Sequence, residues 1–444
     1  MKVGIIEFPG TNCEREAAAA VRRAGMTPVP FRWNKDPGEL EKLDGYIIAG
    51  GFSYEDRSRS GIIAALDPLM PSIKREIEKG KPIIGICNGA QILLETGMVP
   101  GLPVYHVGAA LAANRRVKDG NVLGTGFYNA WVHIKYDDAP KNCAFTSALT
   151  QGQTMHIPAA HAEGRFIIPD SLLEKVIAQK MTVFRYSDEN GNIDDEFPIN
   201  PNGSVYNIAG ICNPAGNVLA LMPHPERTEG GDKIFTSMRN YIENRQNSTL
   251  DISRINRAVL TEKDIPEPAE VMDSSYQCPE KSKEVIVELI ITDNEAVSVE
   301  NALRHRNIPV SIRRRTHWEL SFSHTAATPG ADDAAENTTP QAEASGELYN
   351  SNKEVTCTAS DIHRLFSRSL LIRDFTGEDT LGEHKTHALK NWFGISGISR
   401  VQHSSLWTII PDTQNVEEAE RLCDAAEKTH IFSNPYANRR YLYE

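Results

Sequence analysis

The chain has 444 residues, 40% of them hydrophobic and 24% charged, with a formal net charge of −12 and seven cysteines. That length predicts two or three domains, and the acidic balance argues against a nucleic-acid partner or an anionic membrane surface. No segment reaches the roughly 20 apolar residues of a membrane span, the opening Met1-Lys2-Val3-Gly4-Ile5-Ile6-Glu7 is too short in apolar residues for a signal peptide, and scattered cysteines without metal-ligand spacing fit a reducing compartment, so a cytoplasmic protein is expected.

In chain order, residues 3–8 read as a strand and Pro9-Gly10-Thr11 as a loop. Asn12 is the expected N-cap of a helix over 13–24, which Gly25 ends. Strands follow over 28–31 and 45–49, the second running into Gly50-Gly51-Phe52-Ser53-Tyr54. A helix is expected over 62–78 and a strand over 83–86. Strands alternating with helices argue a doubly wound, mainly parallel α/β sheet.

The stretch Pro82-Ile83-Ile84-Gly85-Ile86-Cys87-Asn88-Gly89-Ala90-Gln91 reads as a buried strand, a sharp turn and a helix. It sets Cys87 at the carboxyl end of a strand, where open α/β sheets bind their ligands. The first amides of the following helix favour thiolate, the nucleophilic form. A buried core cysteine is the competing reading. Gly50-Gly51 follows a strand expected beside that of Cys87, so the Gly51 and Asn88 amides could together stabilise an oxyanion. A plain turn is the alternative there. Cys13 also heads a helix; Cys87 is preferred because only it has a second amide donor and a paired histidine in support.

Residues 104–211 have more strand and loop character. His161, Glu163 and Arg165 fall in a loop that could overhang a site, but a lone loop histidine is more often solvated than catalytic, so His161 ranks low. Residues 205–222 read as a hairpin turning at Asn213-Pro214-Ala215-Gly216-Asn217 and leading into Pro223-His224-Pro225-Glu226-Arg227. Pro225 holds His224 extended, and residues two apart on an extended chain project to one side. Glu226 can then orient His224, and with Cys87 they form a thiolate–imidazole–carboxylate triad. A helix over 234–244 closes the domain.

Gly85-Ile86-Cys87-Asn88-Gly89 and His224-Pro225-Glu226 resemble the nucleophile elbow and His-x-Glu pair of the class I glutamine amidotransferases. Together with Phe8-Pro9-Gly10-Thr11-Asn12-Cys13, Gly50 to Tyr54 with Asp56, Gln91, and His161 to Arg165, the set resembles the glutaminase component of phosphoribosylformylglycinamidine synthases, over residues 1–248. Glu55, Arg57 and Ala90 depart from that pattern at the pocket rim and leave the triad untouched. The resemblance implies that Cys87 attacks the glutamine amide, the Gly51 and Asn88 amides hold the oxyanion, and His224, held by Glu226, protonates the leaving ammonia and then activates water against the thioester. Gln91 is implied to line the glutamine pocket. It implies no cofactor or metal on this chain, and a large partner synthetase that uses ATP and magnesium to activate formylglycinamide ribonucleotide for the ammonia. The chain shows no Walker-type phosphate loop and too little length after residue 250 for that synthetase. A separate polypeptide is therefore expected to carry it, with little glutamine hydrolysis until it docks.

Residues 249–282 read as a polar linker with one helix near 253–259. A strand over 284–292, a helix over 294–306 and a long strand or hairpin over 310–322 follow, then a disordered insert over 323–356. Residues 368–374, 383–393, 400–410, 416–429 and 431–443 give strand, helix, strand, helix and a closing segment. These form an α+β, split-βαβ outline in which 283–366 is a degenerate first copy and 367–444 a second. Element order and Phe432-Ser433-Asn434-Pro435-Tyr436 resemble the small third component of the bacterial synthases, implied to bridge glutaminase and synthetase. Arg313, Arg314 and Arg315 could meet an acidic partner or a phosphate, or guard a solvated strand edge. Two alternatives remain: an amidotransferase serving another acceptor, and a C-terminal module that binds a small regulatory molecule.

Overall fold

In the computed structural model, which describes residues 1–245, 252–268, 272–322, 331–362, 365–375, 377–395 and 397–444, the chain divides into two units, Met1–Glu267 and Pro268–Glu444. The first is built on short aliphatic strands: β1 (Lys2–Glu7), β2 (Thr27–Arg32), β3 (Gly45–Ile48), β4 (Ile83–Ile86), β5 (Tyr128–Tyr136), β6 (Thr154–His161), β7 (Phe184–Ser187), β8 (Ile208–Cys212) and β9 (Val218–Leu221). They form one sheet in the order β2-β1-β3-β4-β9-β8-β7-β5-β6. The part from β2 to β9 is parallel, and β8, β7, β5 and β6 extend it antiparallel. Every residue of β3 and β4 is buried, as expected of parallel strands covered on both faces. Helix Asp232–Arg245 adds Ile234, Phe235 and Met238 to this core.

Two expectations shift. The helix over 62–78 is broken into Ile62–Ala65 and Met70–Glu78. Pro68 lacks an amide hydrogen and disfavours helix at the residue before it, and the Asp67 carboxylate takes the Leu69 amide at 2.8 Å instead. The start of the expected linker belongs to the first unit. Helix Ile252–Val259 buries Ile252 and is followed by the fully buried Leu260, Asn256 Oδ1 accepts the Ala215 amide at 3.0 Å, and Lys175 pairs with Asp264 at 3.3 Å.

The second unit is one sheet of seven strands: β10 (Met272–Ser275), β11 (Ser282–Leu289), β12 (Val310–Phe322), β13 (Glu354–Cys357), β14 (Arg368–Asp374), β15 (Ile398–Pro411) and β16 (Asn438–Leu442). Their order is β10-β16-β14-β15-β12-β11-β13. The long antiparallel pair β12–β15, in register from Val310↔Pro411 to Ser321↔Arg400 and shifted at Phe322↔Ile398, lies at the centre. Outward from it, β11 pairs with β12 and β13 on one side, and β14 with β15 and β16 on the other. Each half therefore runs strand, helix, strand, helix, strand, with helices Asn294–His305 and Ala331–Ala344 in one and Thr380–Asn391 and Val416–Glu427 in the other. The first helix of each half is capped by an aspartate, Asp293 on the Glu295 and Ala296 amides and Asp379 on that of Gly382. Trp318, Leu320, Leu389, Ile398 and Val401 share one buried cluster.

Here too the structure departs from expectation. Residues 331–344 are a helix and 354–357 a strand, the first inside and the second across the end of the 323–356 stretch expected to be disordered; 323–330 lie outside the described residues. β12 is central, so the three arginines guard no edge and are paired within the unit. Arg313 and Arg315 meet Glu288 at 3.4 and 2.8 Å, and Arg314 meets Asp293 at 3.1 Å. No helix among the described residues is long and apolar enough to cross a membrane.

Candidate active site

Cys87 joins β4 to helix Asn88–Glu95 with φ 52° and ψ −108°. A non-glycine residue in that region costs about 1–3 kcal/mol, a strain that clusters at functional sites. The flanking glycines make the turn possible. A Cβ on Gly85 would collide with the Gly89 carbonyl, and one on Gly89 with the Ile48 carbonyl of the neighbouring β3. The Ala90 and Gln91 amides return to the Cys87 carbonyl at 2.9 and 3.2 Å. The Asn88 amide precedes them, among the first amides that a helix leaves without an internal acceptor.

His224 follows β9, which runs parallel beside β4. The His224 amide bonds the Pro158 carbonyl at 2.8 Å, and its Nδ1 lies 2.6 Å from Glu226 Oε1. The expected extended chain is instead a tight turn over Pro225–Arg227, which still brings the carboxylate to the ring. Both side chains are buried. Burial pushes the imidazole toward its neutral form, but the Glu226 carboxylate and the Cys87 thiolate outweigh it and hold His224 well above its ordinary value. A Cβ on Gly50 would lie 3.0 Å from His224 Cε1, 3.2 Å from Cys13 Sγ and 3.4 Å from Cys87 Cβ, so the imidazole and both cysteines converge over that glycine.

The convergence faces a cavity of about 250 Å³ lined by Cys13, Gly51, Cys87, Gln91 and His224 among others. Glu226 stands behind His224. The Asn88 side chain is also behind the cavity wall. Its Oδ1 accepts the Ser53 amide at 3.0 Å, and its Nδ2 donates to Asp56 and to Gln91 Oε1 at 3.2 and 2.9 Å. Gln91 Nε2 in turn donates to the Glu163 carbonyl at 2.6 Å. Gln91 thus braces the elbow helix against the 161–165 loop as well as lining the pocket. Glu55 and Arg57, the departures on the rim, pair with each other at 2.9 Å, and neither lines the cavity.

Among the lining groups are four that sequence reasoning ranked below the site residues or quoted only within motifs. Cys13, not Asn12, caps helix Glu14–Arg23, and Arg227 Nη2 donates to its sulfur at 3.1 Å. Asp56 is pushed up to about 7 by burial and by the charge of Glu163, the second carboxyl in the cavity wall. The fourth is His161, expected to be solvated and found 4% exposed. The family resemblance takes in Asp56, His161 and Glu163 alike, but nothing local to His161 announces its burial. Donor atoms of Cys13, His224 and Glu226 lie within 4.8 Å of one another, close enough for a divalent cation. Two of the three residues are already joined by the 2.6 Å bond, the arrangement of a triad.

Comparison with known proteins covers the first part of the chain. A family model described as a CobB/CobQ-like glutamine amidotransferase domain matches residues 1–249. The phosphoribosylformylglycinamidine synthase subunit PurQ of Methanothrix thermoacetophila is 46% identical over 263 residues, 55% of this chain and 100% of that protein. The subunit of the same name from Pyrococcus furiosus is 41% identical over 249 residues, 54% of this chain and 99% of that one. A chain in the structure of PurLQS from Thermotoga maritima is 33% identical, covering 54% of this chain and 98% of that one with a TM-score of 0.43.

Proposed function

The chain belongs to the CobB/CobQ-like glutamine amidotransferases, and from that premise we propose that Cys87, His224 and Glu226 carry out its glutamine hydrolysis. The activity is that of the glutaminase component of phosphoribosylformylglycinamidine synthase, in purine biosynthesis. The observation that carries the residue assignment is the meeting of the strained cysteine and the glutamate-held imidazole over Gly50.

Cys87 Sγ attacks the side-chain carbonyl carbon of glutamine. The carbonyl oxygen becomes an oxyanion held by the Asn88 amide at the helix start and by that of Gly51. His224 gives its proton to the departing nitrogen, which leaves as ammonia, and Cys87 is left as the γ-glutamyl thioester. The now neutral His224 takes a proton from water, whose oxygen attacks the thioester, releasing glutamate and restoring the thiolate. Glu226 Oε1 holds Nδ1–H throughout, keeping Nε2 toward the sulfur and stabilising the imidazolium.

The ammonia is passed to a large synthetase on a separate polypeptide, which binds ATP and magnesium. The second unit docks the two. Its support is the pair of like halves joined along β12 and β15, each with the strand–helix order of the small bridging component and each with an aspartate cap on its first helix. One observation favours a different role for this unit, as a small-molecule sensor: a cavity of about 720 Å³ lined by Arg368, Val416, Glu420, Cys423 and Tyr443 among others. Isothermal titration with nucleotides and amino acids separates the two roles.

The function is tested by co-purifying the full chain with the synthetase and assaying product formation with glutamine and then with ammonium. Cys87→Ala is expected to abolish the first and spare the second. Loss of both, or of neither, removes the assignment.

A further inference from the structure

His161 ends β6, where Ala160 beside it takes the Cys87 thiol at 3.6 Å through its carbonyl. Its ring is buried, lines the cavity, and stacks so closely on Gly164 that a Cβ there would collide with it. Asn114 fixes the ring. Its Nδ2 donates to the His161 and Gly126 carbonyls at 2.6 and 3.1 Å. Its Oδ1 is therefore the acceptor end, and takes the Gly164 amide at 3.0 Å and His161 Nδ1 at 3.1 Å. That network puts the ring proton on Nδ1. Nε2 is left as a bare lone pair, buried and with no donor facing it among the described residues. Burial and the charge of His224 push the ring down to about 3, so it stays neutral at working pH and cannot act as a proton shuttle.

A buried acceptor without a donor is costly unless a ligand supplies one. Glutamine carries donors at two ends, the carboxamide nitrogen and the α-ammonium group. The Cys87–Ala160 contact and the electrostatic coupling to His224 put His161 at the reacting end. We infer that His161 Nε2 accepts a hydrogen bond from the carboxamide nitrogen of glutamine and orients it as the leaving group. With one N–H held by His161, the lone pair that develops on that nitrogen as the C–N bond breaks is turned toward the proton on His224. No proton moves to or from His161. A substrate with an ester in place of the amide has no N–H to offer and gains nothing from the residue. This role rests on the glutaminase reading.

The test compares hydrolysis of glutamine and of glutamate γ-methyl ester by the full chain co-purified with the synthetase, in the unaltered protein and in His161→Leu and His161→Gln. His161→Leu is expected to lower kcat/KM for glutamine by about 10- to 100-fold, the scale of one buried hydrogen bond lost with its partner left unpaired. The ester should change by less than about 3-fold, within the scatter of a contact that carries no net energy. Labelling of Cys87 by a diazoketone analogue of glutamine should persist, showing an intact site. His161→Gln places its oxygen near the Nε2 position and should recover most of the glutamine rate. Parallel loss for both substrates, loss of labelling, or equal loss in the two variants shows a merely structural histidine and overturns the inference, as does an unchanged glutamine rate. Failure of the unaltered chain to hydrolyse glutamine even with the synthetase docked is a different result, which overturns the glutaminase reading itself.

Discussion

Both units bury polar side chains, and they differ in what is left open around a cavity. In the first, His224 Nε2 and His161 Nε2 are buried with no hydrogen-bond partner among the described residues, and both rings line one cavity. In the second, the buried groups largely answer one another. Arg373, 7% exposed, donates to Glu319 and to Ser404 at 2.8 Å each, and Tyr276 donates to the same carboxylate at 2.8 Å. Arg315 is held by Glu288 and Thr408. His317 bonds Glu284 through Nε2 at 2.7 Å, and only its Nδ1 has no partner among the described residues. Groups satisfied within the fold hold a sheet together, whereas groups left unsatisfied around a cavity are available to a substrate.

The largest effect that would break this contrast is at the triad. Glu226→Gln keeps the shape and loses the charge and the tautomer it enforces, so kcat for glutamine should fall about 10³- to 10⁴-fold with the melting temperature little changed. A fall under tenfold would place Glu226 with the structural groups. Next is the second unit. Arg373→Met leaves Glu319 buried with one donor fewer and should cost about 3–5 kcal/mol in chemical denaturation. The glutamine rate of the folded protein should be unchanged, and a selective loss of rate would blur the division.

A smaller and pH-dependent effect belongs to Asp56. Its carboxyl is raised to about 7 in the fold, so the bound proton favours the native state below the unfolded value, and that stability is lost as pH rises through about 7. Asp56→Asn removes the ionisation. Stability plotted against pH should run parallel for the two proteins below about pH 4, where the carboxyl is neutral in both states, diverge between about pH 4 and 7 as the unaltered protein loses stability, and run parallel again above about pH 7 with the variant favoured. The smallest effect is at the rim. Glu55 sits at φ 60° and its side chain is 76% exposed. Glu55→Gly relieves the conformation and loses only a surface ion pair, so stability should move by about 1 kcal/mol or less. The KM for glutamine should stay within about 2-fold, since surface changes away from a site are near neutral.

How much of this is legible in the sequence follows the same division. The elbow is written locally: Gly85 and Gly89 are demanded by backbone contacts within a few residues of Cys87 and by the adjacent strand. The histidine and its carboxylate are two residues apart, so their partnership can be read even though a tight turn, not an extended strand, joins them. His161 is not legible in this way, because what buries and orients it is Asn114, 47 residues earlier. The same holds for the arginines of β12. Their row reads as a contact for an acidic partner or phosphate, or as a charged edge, until β15, whose first residue is 76 positions after the last of β12 (398 − 322 = 76), pairs beside it. The end of the first unit also escapes, since residues 252–264 are polar in composition and owe their place to Ile252, Leu260 and Asn256.

The choice between two cysteines at helix starts, both lining one cavity, decides the chemistry. Incubating the full chain with a diazoketone analogue of glutamine and mapping the adduct by peptide mass spectrometry tests it directly. One adduct on Cys87, absent after Cys87→Ala and suppressed by excess glutamine, is the predicted result. An adduct on Cys13 that survives Cys87→Ala contradicts it.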